Sequence, residues 1–476
     1  MRRHLWVFAA LVLLAFALRL RDVDRYDLWY DEAGQALAAL KPTLAETLQV
    51  VRRHHGASPL SYLLTAVAIR LGGTSELALR FEPLFWSVLS VALTIRAARA
   101  LAPRGAAWAG LLAALSPFAI RYAQEVRFYA LGLMWASAVF CVAALVATGA
   151  LHRRWTTWLL LVGLTTALLY SHAYSVFIAL PALIVAILSV PARERLRVAL
   201  WQTSAYALAG LLFAPWFFGG MKVAAHPFGT HTLTPEAVRS VWAGLEVVPL
   251  VPSPPTHVAD GLFAVATLGL SVLALIYAAA RVRHAPWLAG GVLGIGLAVA
   301  AVCAATLAVG YFFHPRQFLF LQPVRFVLLS AALASASQAV PSALRGLLAI
   351  GLLGLSVMYT NADLHRLERA RLRPVAQAVA AHASAPGTPA FIVPFWVYVA
   401  PEYYLHMMGV EVAWQRLPGD QLAAEQLSAA PKGALFLIPT GRADLLPLLN
   451  AAGFYEVALP PSPTPPDFRV LVKDGA

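Results

Sequence analysis

Eleven apolar stretches, each near the roughly 20 residues that cross a bilayer as a helix, dominate this chain of 476 residues. They lie near 5–20, 77–98, 106–121, 129–149, 155–171, 174–191, 199–218, 259–280, 286–308, 317–338 and 344–360. Hydrocarbon offers no hydrogen bonds, so each backbone N–H and C=O needs a partner within its own segment, and the stretches must be helices. A mean hydropathy of +0.70, with 60% hydrophobic and 12% charged residues, excludes a soluble globular fold. The expected fold class is an α-helical polytopic membrane protein.

The first stretch follows Met1-Arg2-Arg3-His4, as in a signal peptide. It then runs straight into Arg19, Arg21 and an acidic segment without a small-residue cleavage site, and reads as an uncleaved span. With the N-terminus cytoplasmic, the inner loops hold thirteen arginines, from Arg2 and Arg3 to Arg345, against the single acid Glu194. The net charge of +13 is therefore mostly a positive-inside signal, and nucleic acid is not an expected partner. The same topology puts 21–76, 121–129, 219–258 and everything after 361 outside, with short outward turns at 171–174 and 309–316. Long outer and short inner loops point to function on the outer face. Cys141 and Cys303 sit in different apolar runs and read as packing residues rather than a disulfide or metal site.

Two outer regions carry structure of their own. In 21–76, Thr43-Leu44-Ala45-Glu46 fits a capping box and Ser58-Pro59 an N-cap followed by an N1 proline. The helix from Ser58 sets Leu60, Leu63, Leu64, Val67, Ala68 and Leu71 at helical spacing. It is too short and one-sided to span, and reads as lying along the interface. In 362–476 strand-like runs at 390–393 and 434–438 alternate with helical stretches at 374–383, 398–409 and 443–452, the pattern of a small outer α/β domain. The expected division is a transmembrane domain over 1–361 and an outer domain over 362–476.

Charged residues are scarce, so those gathered at the outer surface stand out. Leu28-Trp29-Tyr30-Asp31-Glu32 sets two adjacent carboxylates among aromatics just past the first span. Asp31 reads either as the N-cap of a helix running to Leu40, with Glu32 in its first turn, or as a fixed base for a hydroxyl acceptor. The turn Ser116–Tyr129 brings Arg121, Gln124, Glu125 and Arg127 to one interfacial layer. These read as snorkelling arginines with a local ion pair, or as paired guanidiniums for a phosphate. Arg316 opens the tenth span behind an aromatic run, Tyr311-Phe312-Phe313-His314. His172, in the turn Ser171-His172-Ala173-Tyr174, is a candidate donor to sugar or phosphate. The vicinal His54 and His55 are a weak metal signal, and Tyr403, Tyr404 and His406 either face an acceptor or belong to a packed amphipathic helix.

Taken in order, these pieces resemble the GT-C superfamily of membrane glycosyltransferases. The nearest group is family 39, with the protein O-mannosyltransferases and the bacterial lipid A aminoarabinose transferases. The resemblance rests on Trp29-Tyr30-Asp31-Glu32, on Pro59 to Leu64, on Ser75 to Arg80, on Ser116 to Tyr129 and on Arg316 opening a late span. It covers roughly residues 5–340 and is strongest in the first 130. It implies an inverting transfer of sugar from a polyprenyl-phosphate donor to a lipid, glycan or protein hydroxyl on the outer face of a bacterial cytoplasmic membrane. By resemblance Asp31 matches the catalytic carboxylate, with Glu32 as neighbour or substitute. Arg127 and Arg316 are candidates for the donor phosphate together with Arg121, Glu125 is the partner that orients Arg127, and Tyr30, Tyr62, Tyr129, His172 and His314 line the substrate. No cofactor is expected; an acidic pair can hold a divalent cation, but the family does not generally require one. No outer loop between spans exceeds 56 residues (21–76), so the sugar-binding-like inserted domain of the eukaryotic mannosyltransferases is absent. The chain carries 32 arginines to 4 lysines and is rich in alanine, a composition that fits a high-GC bacterium. The competing readings are a transporter or flippase of lipid-linked sugars and a non-catalytic envelope scaffold.

Overall fold

The computed structural model describes residues 2–55, 57–221, 232–248, 258–338, 341–366, 371–415, 427–461 and 468–474. The first helices are α1 (Arg2–Leu20), α2 (Tyr30–Ala39), α3 (Leu44–Val50), α4 (Leu60–Gly72) and α5 (Glu76–Leu101). Next come α6 (Ala106–Leu115), α7 (Pro117–Ala123), α8 (Tyr129–Ala147), α9 (Trp155–Ser171), α10 (Ala179–Ser189) and α11 (Ala192–Gly219). Then follow α12 (Pro235–Gly244), α13 (Val258–Arg281), α14 (Pro286–Val309), α15 (Gln322–Ser337) and α16 (Ser342–Arg366). The C-terminal part holds α17 (Leu372–His382), β1 (Thr388–Ile392), α18 (Val399–Met407), β2 (Val412–Gln415), β3 (Leu435–Pro439), α19 (Leu446–Ala451), β4 (Phe454–Glu456) and β5 (Phe468–Lys473).

Each of the eleven apolar segments lies on helix, and the chain is a multi-pass membrane protein. Among the described residues seven helices, from Glu76–Leu101 to Ser342–Thr360, are long and apolar enough to cross a membrane. The pair Pro103–Leu115 and Pro117–Ala123, bent by 52°, makes an eighth when taken as one span. The segments at 5–20, 155–171 and 174–191 fall on shorter apolar helices, of at most 17 residues.

The described residues form two compact units. The first comprises Met1–Arg21, Ala45–Leu64 and Arg80–Leu367. In it α8 and the helical run Pro315–Ser337 are enclosed on nearly all sides, whereas α13 and α16 keep most of their surface outward. Small residues allow the closest crossings, because interhelical contact in lipid comes from packing rather than water exclusion. A Cβ at Gly294 on α14 would stand 2.3 Å from the Cα of Pro181 on α10. Arg19 is fully buried at the end of α1. It donates to Ser87 Oγ (2.8 Å), to Ala15 and Ala114 O (3.1 Å each) and to Ala113 O (3.0 Å), tying α1 to α5 and α6.

The second unit comprises Asp22–Leu44, Thr65–Leu79 and Glu368–Ala476. Its sheet has the order β2-β1-β3-β5-β4, with β1 parallel to β2 and β3, and β5 antiparallel to β3 and β4. The core of β3 is continuous, Leu435 to Ile438 all fully buried, as expected for a central strand covered on both faces. α18 packs on both α17 and α2, so the segment that follows α1 shares a unit with the C-terminal sheet.

Candidate functional site

In the first unit the turn after α7 is built by a broken helix. Pro117 cannot donate to the preceding turn, and Ser116 serves as N-cap of α7, its Oγ accepting from Ala119 N at 3.0 Å. Gln124 then fixes the other end, its Nε2 donating to Arg19 O (3.0 Å) and Arg21 O (2.7 Å). Between these anchors lie Arg121, with Nε 4.0 Å from Glu125 Oε1, and Arg127, whose Nη1 donates to the buried Tyr62 hydroxyl at 3.4 Å. The Glu125 carboxylate therefore lies within ion-pair range of Arg121 and two residues from Arg127.

Aromatic faces surround the cations. The Arg127 guanidinium lies 4.8 Å from the Phe128 ring centroid, and that of Arg316 lies 5.3 Å from Tyr129 and 5.7 Å from Phe312. Phe128 stacks on His172 at 4.9 Å, and His172 Nδ1 is 2.7 Å from Ser175 Oγ. A Cβ at Gly132 would stand 3.1 Å from both His172 Cβ and Ser175 Oγ, so a side chain there would press on the turn by a few tenths of an ångström. His314 caps the short 3-10 turn Pro315–Leu321. Its Nδ1 accepts from Arg316 N at 3.3 Å while Gln317 Oε1 accepts from His314 N at 3.2 Å, and this reciprocal cap fixes where Arg316 leaves the chain.

Burial, and then the nearby charges of Arg316 and Arg127, push His172 down to about 3. Burial, Arg316 and Arg121 likewise hold His314 well below the usual imidazole range. Both imidazoles are therefore neutral at ordinary pH. The sequence-derived set Arg121, Glu125, Arg127, Arg316, Tyr62, Tyr129, His172 and His314 thus gathers into one cluster of three guanidiniums and one carboxylate, walled by π faces. Guanidinium forks present paired donors to an oxyanion, and aromatic faces keep water from competing.

The second unit carries the carboxylate pair, and here the capping expectation is corrected. α2 begins at Tyr30 with Trp29 as N-cap, so Asp31 is the second helical residue, not the cap. Glu32, at the third position, reaches back to accept from Trp29 N at 3.3 Å and is fully buried. Asp31 is half-buried, one residue from a carboxylate already engaged in the fold. Tyr30 sits edge-on to Trp29, ring centroids 4.7 Å apart.

Other polar residues of the sequence have these surroundings. The Tyr403 and Tyr404 hydroxyls are used within the unit, donating to Thr74 O (2.6 Å) and Glu76 Oε1 (2.8 Å), while His406 is exposed. The two tyrosines are packed within the unit, and His406 is not. Ser58 Oγ donates to Leu169 O at 2.9 Å, across to α9. The side chains of His54 and His55, and residues 222–231 and 249–257 between α11 and α13, lie outside the described residues. Among the described residues no group of three or more His, Cys, Asp or Glu is placed to hold a metal ion.

One network was not read from the sequence. Glu246, at positive φ (51°) beyond α12, accepts from Ser116 Oγ (2.6 Å) and Phe118 N (3.1 Å) through Oε1 and from Arg325 Nη1 (3.0 Å) through Oε2. It satisfies the backbone freed where α6 gives way to α7, and so supports the turn carrying Arg121 and Arg127. The available signal was Arg325, a charge inside an apolar segment.

No family model and no curated protein sequence matches the chain. Solved structures do. ArnT from Cupriavidus metallidurans in the apo state superposes with a TM-score of 0.61 at 15% identity, over 99% of this chain and 98% of that one. The same protein bound to undecaprenyl phosphate gives 0.61 at 14% identity, over 98% and 97%. The apo oligosaccharyltransferase of Archaeoglobus fulgidus gives 0.60 at 11% identity, over 97% of this chain and 74% of that one. At such identities the likeness speaks to architecture, and with the helical segments it is decisive there. The chain is a polytopic membrane protein with the GT-C fold.

Proposed function

We propose that this protein is an inverting glycosyltransferase that moves a sugar from a polyprenyl-phosphate-linked donor to a hydroxyl acceptor on the outer face of the cytoplasmic membrane. The observation that carries the reading is the aromatic-walled cluster of Arg121, Arg127 and Arg316 beside two neutral imidazoles, which suits a phosphate better than any uncharged ligand. The fold shared with an ArnT that binds undecaprenyl phosphate supports it. In this reading the acceptor oxygen attacks the anomeric carbon and Asp31 takes its proton. The bond from that carbon to the phosphate oxygen breaks on the opposite face, the electron pair leaving with the phosphate. Charge grows on the departing phosphate in the transition state, and Arg127 and Arg316 are assigned to stabilise it. Arg121 joins them at the phosphate and Glu125 orients Arg127, while Tyr62, Tyr129, His172 and His314 line the donor. Tyr30 and Glu32 flank the base, Glu32 acting through the fold of the turn.

The test is binding of undecaprenyl phosphate to the purified full-length protein in detergent, with undecaprenol as the phosphate-free probe. Loss of a charge-assisted contact weakens binding about tenfold or more, so Arg127→Gln and Arg316→Gln are expected to lose that much affinity for the phosphate and little for the alcohol. Equal phosphate affinity in wild type and both variants contradicts the assignment.

A further inference from the structure

The three residues before α2 are each held by a partner, and two of those partners come from the C-terminal domain. Asp27 Oδ2 accepts from Leu372 N and Arg373 N, both at 2.9 Å, so it caps the start of α17. Leu28, fully buried, donates its backbone N–H to the Tyr404 hydroxyl at 2.7 Å. Trp29 N is taken by Glu32. The Tyr404 hydroxyl is itself oriented, because it donates to Glu76 Oε1 at 2.8 Å and the Arg373 guanidinium stands 5.3 Å from its ring centroid. A phenol that accepts one hydrogen bond and donates another has its rotation fixed. Burial pushes the Tyr404 phenol up, so it keeps its proton and both bonds at any working pH. Below it, α18 lies along α2, where Ala33, Ala36 and Leu405 are fully buried.

We infer that Tyr404 is a positioning residue for Asp31: the C-terminal domain fixes the first turn of α2 through Tyr404 and Leu28, three residues ahead of the base. This rests on the reading of Asp31 as base. Without the phenol oxygen the Leu28 N–H is buried without an acceptor, and the entry to α2 is free to shift. A displacement of about 1 Å at a reacting group costs as much as 10²-fold in rate.

The experiment is steady-state transfer by the full-length protein, comparing wild type, Tyr404→Phe, Glu76→Ala, Glu76→Gln and Asp31→Asn, each with its melting temperature. Tyr404→Phe is expected to lower kcat by about tenfold or more with the donor KM unchanged. Glu76→Ala, which leaves the phenol but removes its acceptor, is expected to lie between. Glu76→Gln, whose amide oxygen still accepts, is expected near wild type. If Tyr404→Phe does not fold, the Glu76 pair decides the matter by the same split. Wild-type kcat per folded molecule in Tyr404→Phe and Glu76→Ala, with only a lower melting temperature, overturns the positioning role and leaves Asp31 as base. Wild-type kcat in Asp31→Asn overturns the base reading itself.

Discussion

Asp31 and Glu32 are neighbours in sequence with different surroundings. Glu32 is consumed by the turn it builds, whereas Asp31 sits half-buried on the first turn of the helix. Glu32→Ala is expected to lower stability by about 1 kcal/mol through loss of the acceptor for Trp29 N; thermal melts of wild type and variant in one detergent check this. His172 gives a second prediction. Its folded-state proton affinity is depressed to about 3 by burial and by Arg316 and Arg127, while the unfolded chain keeps the ordinary value near 6.5. The unfolded state thus binds a proton that the folded state refuses, so stability falls as pH drops from about 6.5 towards 3. His172→Gln removes that contribution, and its melting temperature is expected to fall less steeply between pH 7 and pH 4.5. Most members of the cationic cluster were legible because charges are rare in this chain and these ones gather at one surface. The cap was misplaced because helix ends shift by a residue or two without any change in apolar pattern.

At the level of elements, hydropathy locates the spans because lipid leaves the backbone one solution. It says nothing of which spans touch. The Glu246–Arg325 pair joins residues 79 apart in sequence and holds the break between α6 and α7. Removing one member leaves the other buried and charged, so Arg325→Leu is expected to cost about 3–5 kcal/mol. Arg325→Leu with Glu246→Gln is expected to recover a large part, and a double-mutant cycle of melting free energies measures the coupling. The α10–α14 crossing admits no side chain at Gly294, so Gly294→Leu is expected to destabilise more than the same change at Gly296, where a Cβ meets nothing within 4 Å. The short strands β2, β4 and β5 were missed for a related reason. Their identity comes from pairing with β1 and β3 rather than from any run of their own.

For the whole molecule, the arginine-rich loops lead us to expect an orientation with Asp31 and the C-terminal domain outside. A cysteine at the exposed Ser384 is then labelled by an impermeant maleimide on intact cells, whereas one at the exposed Arg154 is labelled only after permeabilisation. The reverse pattern inverts the topology and removes Asp31 from the outer face. Phosphate binding by the arginine cluster is shared by an enzyme and a carrier of lipid-linked sugars, so turnover separates them. The decisive measurement is transfer by purified protein, with polyprenyl-phosphate sugars as donors and a membrane lipid extract as acceptor, wild type beside folded Asp31→Asn. Loss of a general base costs about 10²–10⁴-fold, so the variant is expected to bind the donor as wild type does and to release polyprenyl phosphate at least 10²-fold more slowly. Equal release rates in the two proteins, or no release from any donor by wild type, contradict the account.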